Sequence, residues 1–287
     1  MSQRAAVKLP VSKKWLVDGF CWYTTRMVSK QFISFGVQKE LLEAKRIDDD
    51  SPIVVYVNHA SWWDPIAAML LQRACFPNRT FYAPIDAHAL ENYRIMSQLG
   101  FYGVRNQTFE GASDFLKVTK SILELKKVAI WITPEGQFSD VRDHSLSLMP
   151  GLSHLASKTP GVKFVPVAFE YGFWNESRPQ IFARFGAPIG SAEPLPNSPV
   201  SKAPVSKAPV PKAPVPKAQW NALLTERLRQ TQNELAQSVI ARDPAAFTYL
   251  IASRPVRLGW YDYGRSWSAW LKRKPFDPRH LKRGQVS

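Results

Sequence analysis

The chain has 287 residues, 45% of them hydrophobic, which is enough material for a full core. Its two cysteines, Cys21 and Cys75, exclude a disulfide framework or a cysteine metal cluster and suit a reduced, cytosolic setting. The formal net charge of +15 is uneven: residues 51–190 are nearly balanced, whereas 251–287 are strongly basic and carry Trp260, Tyr261, Tyr263, Trp267 and Trp270.

The opening "MSQRAAVKLPVSKKWLVDGF" has neither the continuous apolar run nor the small-residue cleavage site of a secretory signal. No window approaches the roughly 18 uncharged apolar residues that a membrane span requires. Residues 13–45 read as helical and amphipathic. Trp15, Leu16, Phe20, Trp22, Tyr23, Met27, Phe32, Ile33 and Phe35 are interleaved there with Lys13, Lys14, Arg26, Lys30 and Lys39. Such a segment either lies in a membrane interface or covers one face of a domain.

From residue 53 strands and helices alternate. "IVVYV" (53–57) reads as a buried strand, "PIAAMLLQRACF" (65–76) as a helix and "TFYAP" (80–84) as a short strand. Helical spacing follows over 110–128, a strand over 128–133, a short helix opened by Gly151, and a strand over 163–173. This order predicts an α/β fold: a mixed, largely buried sheet flanked by helices, with N-terminal amphipathic helices and a basic aromatic C-terminal tail. From Pro199 to Ala218 a five-residue Pro/Lys unit repeats, which gives an extended spacer without a core. "QWNALLTERLRQTQNELAQSVIAR" then reads as an amphipathic helix closed by Asp243-Pro244. The expected division is an amphipathic membrane-facing segment (1–48), an α/β core (49–192), the spacer (193–218), and a C-terminal helix with the aromatic tail (219–287). The tail suits an anionic lipid surface, where indoles sit at headgroup level and Lys/Arg are attracted. Packing on the core is its alternative, and nucleic acid is the least favoured partner.

The chemistry concentrates in "VVYVNHASWWDPIAAML". Asp64 before Pro65 suits a helix N-cap with proline at the first helical position, and Ser61-x-x-Asp64 alternatively suits a capping box. His59 could equally be a turn histidine at a strand end. The surroundings favour a further role. "NHASWWD" matches the N-H-x-S-x-x-D form of the histidine–aspartate motif of the glycerolipid (lysophospholipid) acyltransferase superfamily. "GFYGVR" (100–105), "TPEGQFS" (133–139) and "FVPVAF" (164–169) resemble that family's second, third and fourth blocks, in order and at similar separations.

The resemblance implies transfer of a fatty acyl group from acyl-CoA or acyl carrier protein to a hydroxyl of a lyso-glycerolipid or related membrane lipid, as in phospholipid biosynthesis. His59 would be the general base, and Asp64 would fix its tautomer. Helix N-terminal amides after residue 64 would steady the oxyanion. Arg105 and the Glu135-Gly136 turn would bind the acceptor. The third block departs from the family's P-E-G-T-R-S: Gln137 replaces Thr and Phe138 replaces Arg. Loss of that guanidinium points to a less charged acceptor, held by Gln137 and stacked on Phe138, with Arg142 as a candidate substitute. His88, His144, His154 and His280 show no metal-ligand spacing, and no nucleotide-binding motif occurs, so no cofactor is expected beyond the thioester carrier. The expected protein is cytoplasmic and peripheral on the membrane. A non-enzymatic lipid-binding protein on the same fold is the alternative.

Overall fold

The computed structural model describes residues 9–38, 50–105, 108–190 and 216–252. Its strands form one mixed sheet of nine. In chain order they are β1 (Phe35–Gln38), β2 (Ile53–Val57), β3 (Thr80–Asp86), β4 (Phe101–Val104), β5 (Val128–Ile132), β6 (Lys163–Gly172), β7 (Gln180–Phe185), β8 (Ile189–Gly190) and β9 (Phe247–Ile251). Across the sheet the order is β4-β3-β5-β2-β6-β7-β1-β9, with β8 pairing β6. The run β4-β3-β5-β2-β6 is parallel throughout. β7 turns back antiparallel on β6, β1 runs parallel to β7, and β9 closes the edge antiparallel to β1.

Period-two alternation divides the core between the two faces. Ile53, Val55 and Val57 face one layer with Val165, Val167 and Phe169. That layer is covered by α1 (Lys14–Gln31) and α2 (Asp64–Cys75). Val54 and Tyr56 point the other way, where Ile122, Leu152, Leu155, Trp220, Leu224 and Leu228 cover them from α4 (Phe109–Leu123), α5 (Pro150–Lys158) and α6 (Lys217–Ala241). Every residue of β2 is buried because both of its faces are covered, which is why it reads as an unbroken apolar run. A short α3 (Ala87–Asn92) and a 3₁₀ turn (Arg94–Leu99) join β3 to β4.

The N-terminal helix is shorter than its periodicity predicts. It stops at Gln31, and Phe35–Gln38 is a fully buried strand between β7 and β9. A short apolar run carries no period that separates a buried strand from a buried helix turn, so the sheet decides. Gly36 makes a close fit here: a Cβ at this position would meet the Phe247 and Tyr249 side chains of β9 at 3.2 Å. The sheet thus reaches beyond 49–192, with β1 before that stretch and β9 after it. The Pro/Lys spacer falls almost wholly outside the described residues, as does the basic aromatic tail after residue 252.

Candidate active site

Parallel strands β2 and β5 lie side by side, but the chain leaves them on opposite faces. From β2 it passes to α2, and from β5 to α5 on the other side of the sheet. Such a divergence opens a crevice beyond the carboxyl ends of the strands, the usual ligand position in open α/β sheets. His59 and Asp64 follow β2, and Glu135 to Ser139 follow β5.

Asn58 ends β2. Its Nδ2 donates to Phe169 O at 3.0 Å and its Oδ1 accepts from Phe169 N at 2.8 Å, so a buried side chain continues the ladder to β6 for one further step. The chain can then turn, and His59 emerges. Its Nδ1 lies 2.8 Å from Asp64 Oδ2, with the two side chains 19% and 2% exposed. Asp64 Oδ2 also accepts from Ser61 N at 2.9 Å, and Oδ1 accepts from the Tyr171 hydroxyl at 2.6 Å. Ser61 N and the Tyr171 hydroxyl both approach Asp64 as an acceptor, and the same role toward His59 puts the proton of a neutral imidazole on Nδ1 and the lone pair on Nε2. Burial, and next the Asp64 carboxylate, push the Tyr171 phenol well above its ordinary value and keep it a donor.

Asp64 is the first residue of α2 rather than its N-cap, which is Trp63. Its carboxylate reaches back to the Ser61 amide, the returning half of a capping box, while Ser61 Oγ accepts from Trp63 N at 3.2 Å. Local turn chemistry and histidine orientation therefore share one carboxylate. The amides expected to steady an oxyanion are depleted: Pro65 has none, and Ala67 N donates to Trp63 O.

The loop after β5 is tied to this turn. Glu135 is buried, and its Oε2 accepts from His59 N and from Ser139 Oγ, both at 2.9 Å. Ser139 N returns a bond to His59 O at 2.9 Å. Gly136 adopts φ 70°, a left-handed conformation that glycine takes without strain, and a Cβ there would sit 2.5 Å from Met149 Sδ. Gln137 is exposed. Phe138, itself 59% exposed, sets its ring 4.2 Å from the His59 imidazole at an interplanar angle of 38°.

Residues 37–170 match the family model described as Acyltransferase, a span that contains both turns. This stretch is an acyltransferase domain, of the glycerolipid acyltransferase family. A search of the curated proteins found no match to the chain. Membership implies transfer of an acyl group from a donor to an acceptor.

The acyltransferase domain gathers His59, Asp64, Glu135, Gly136 and Phe138 within these two turns and sets Arg105 apart. Arg105 follows β4, the edge strand, three positions from β2, or about 14 Å at the usual strand spacing. Its guanidinium lies 3.1 Å from Asp114 and 3.6 Å from Glu110 on α4. Arg142 is engaged in the same way: two of its nitrogens grip Asp140 at 2.8 and 2.7 Å, and these bonds hold the Asp140 carboxyl far below its ordinary value.

Three contributors were given no role by sequence reasoning, although Asn58 opens the quoted motif. Asn58 and Tyr171 act through partners more than a hundred residues away, and only the pairing of β2 with β6 brings those partners near. The third, Arg229 of α6, donates to Glu135 Oε1 at 2.7 Å. Nothing local marks it, since arginine on an amphipathic helix ordinarily reads as solvated surface.

Proposed function

We propose that the chain moves a fatty acyl group from the thioester of acyl-CoA or acyl carrier protein to a hydroxyl of a lyso-glycerolipid or related membrane lipid, with His59 as general base. The observation that carries this reading is the 2.8 Å contact of His59 Nδ1 with an Asp64 anchored by Ser61 and Tyr171. It leaves Nε2 as the basic nitrogen at the carboxyl end of β2. Nε2 takes the hydroxyl proton as the acceptor oxygen attacks the thioester carbonyl, and Asp64 stabilises the imidazolium that forms. Collapse of the tetrahedral intermediate breaks the C–S bond, and the leaving thiolate takes the proton back. The products are an ester and a free thiol, and no acyl-enzyme is needed. Phe138 flanks the imidazole and borders the acceptor position together with Gln137 and Gly136, while the buried Glu135 carboxylate supports their loop from within. Arg105 is a more distant acceptor contact, free to serve once a stronger anion displaces its surface carboxylates.

The membrane surface is the proposed setting. α1 buries Cys21, Thr24 and Val28 and exposes Trp15, Trp22 and Tyr23 beside the exposed Lys14, Arg26 and Lys30. The Arg26 guanidinium stacks 3.6 Å from the Trp22 ring centroid. Among the described residues no helix is long and apolar enough to cross a membrane, and an aromatic–cationic face of this kind suits peripheral attachment. Beyond its last turn, Phe32 packs edge-on against Trp63 at 5.0 Å, which links this helix to the His59 turn.

The test is thiol release from acyl-CoA, or from acyl carrier protein, by purified protein with a panel of hydroxyl lipids, beside His59→Ala. Acceptor-dependent release that His59→Ala abolishes supports the reading. Liposome binding without turnover from either donor would replace it with a lipid-binding role.

A further inference from the structure

We infer that Arg229 is a positioning residue of the acyl-transfer site, acting through Glu135 on the backbone of His59; this rests on the reading of His59 as the base. The Glu135 side chain is 0% exposed and that of Arg229 11%, so their 2.7 Å ion pair is closed to solvent. Oε2 of the same carboxylate holds His59 N and Ser139 Oγ. Glu135 is thus the junction where the turn after β2, the loop after β5 and α6 meet.

Arg229 is itself held on two further sides. Its Nη1 donates to Gln232 Oε1 at 2.8 Å and its Nη2 to Leu146 O at 2.7 Å. Gln232 Nε2 reaches Val141 O at 3.4 Å. Two neighbouring side chains of α6 therefore grip the loop between β5 and α5 at its start, at Val141 and at Leu146. Without the cation, Glu135 would be a buried charge with no counter-ion, a strongly unfavourable state that the loop would relieve by turning the carboxylate toward water. That movement withdraws the acceptor from His59 N–H.

The geometry has a consequence for the extent of the site. Arg229 lies well outside residues 37–170, on a helix that follows the Pro/Lys repeat. The acyltransferase domain as the family defines it therefore lacks the counter-ion of its own buried carboxylate, and α6 belongs functionally to the site.

The experiment compares full-length wild type, Arg229→Lys, Arg229→Met and the double variant Arg229→Met/Glu135→Gln. It measures kcat and KM in the thiol-release assay, thermal melts, and the amide proton resonance of His59, which lies downfield while it donates to a carboxylate. Small displacements of reacting groups cost up to about a hundredfold in rate. Arg229→Met should lower kcat at least tenfold, leave both KM values within about twofold, and move the His59 resonance upfield. Arg229→Lys should fall between it and wild type. The double variant should recover part of kcat, because a glutamine oxygen accepts from His59 N without needing a cation.

A purely structural role predicts a lower melting temperature with kcat of the folded protein unchanged, and that overturns the inference. So does a loss confined to KM, which would make Arg229 a substrate contact. If Arg229→Met does not fold, the lysine and double variants decide by the same criteria. Wild type without His59-dependent turnover would sink the functional reading instead. The His59 resonance would still decide the positioning, and an unchanged resonance in Arg229→Met would overturn it.

Discussion

The Tyr171 hydroxyl donates to Asp64 Oδ1 at 2.6 Å across 107 positions of sequence. The bond leaves Oδ2 to His59 and to the Ser61 amide, so each carboxylate oxygen has a fixed task. Tyr171→Phe removes one donor and frees the carboxylate to rotate. We expect kcat to fall about tenfold and unfolding free energy to drop by ~1–3 kcal/mol, measured by single-turnover kinetics and urea titration.

The same bond fixes an expectation for pH. The Tyr171 phenol is raised above its ordinary value, so the folded state binds its proton more tightly than the unfolded chain. Its contribution to stability is full below the unfolded phenol value of about 10 and is lost only as pH rises beyond it toward the folded value. The melting temperature of wild type relative to Tyr171→Phe should therefore be constant from neutrality to about pH 10 and should converge above it. Convergence already near neutral pH would contradict the assignment of Tyr171 as a neutral donor.

Asp64→Asn preserves size but offers one oxygen where three neighbours require an acceptor. The amide either keeps its oxygen on His59 and Ser61 and loses the acceptor of the Tyr171 hydroxyl, or keeps Tyr171, turns its NH₂ toward the imidazole and the Ser61 amide, and reverses the tautomer. A loss of about 10³- to 10⁴-fold in kcat is expected with the circular dichroism spectrum retained. A loss below tenfold would remove Asp64 from the mechanism.

Phe138 covers the imidazole from the loop after β5. Because the ring is largely exposed, Phe138→Ala should change stability by no more than ~0.5 kcal/mol. It should raise KM for the acceptor several-fold. Phe138→Arg places a guanidinium at the same position and should shift acceptor preference toward phosphate-bearing lipids by about tenfold, read as the ratio of kcat/KM values in a competition assay. An unchanged ratio would mean that this position does not face the acceptor head group.

On the exposed face of α1, Trp15→Ala/Trp22→Ala removes two indoles that make little of the core. Affinity for anionic liposomes, measured by sedimentation, should fall about tenfold, while turnover of detergent-dispersed substrate stays within twofold. Undiminished liposome binding would transfer the attachment from α1 to some other part of the chain.

What the sequence by itself determined was whatever depends on neighbours a few residues apart. Alternating strands and helices, the doubly buried β2 and the turn that joins His59 to Asp64 are all set by side-chain periodicity and by hydrogen bonds spanning five residues or fewer. The tertiary structure alone decided that Phe35–Gln38 is a strand, because its partners β7 and β9 lie more than a hundred residues downstream. It alone gave Asp64 the Tyr171 hydroxyl and Glu135 the Arg229 guanidinium, and it set Arg105 at the sheet edge against α4. Spacing along a chain records local geometry, whereas the order of strands in a sheet results from burying all faces at once, and no short segment carries that information.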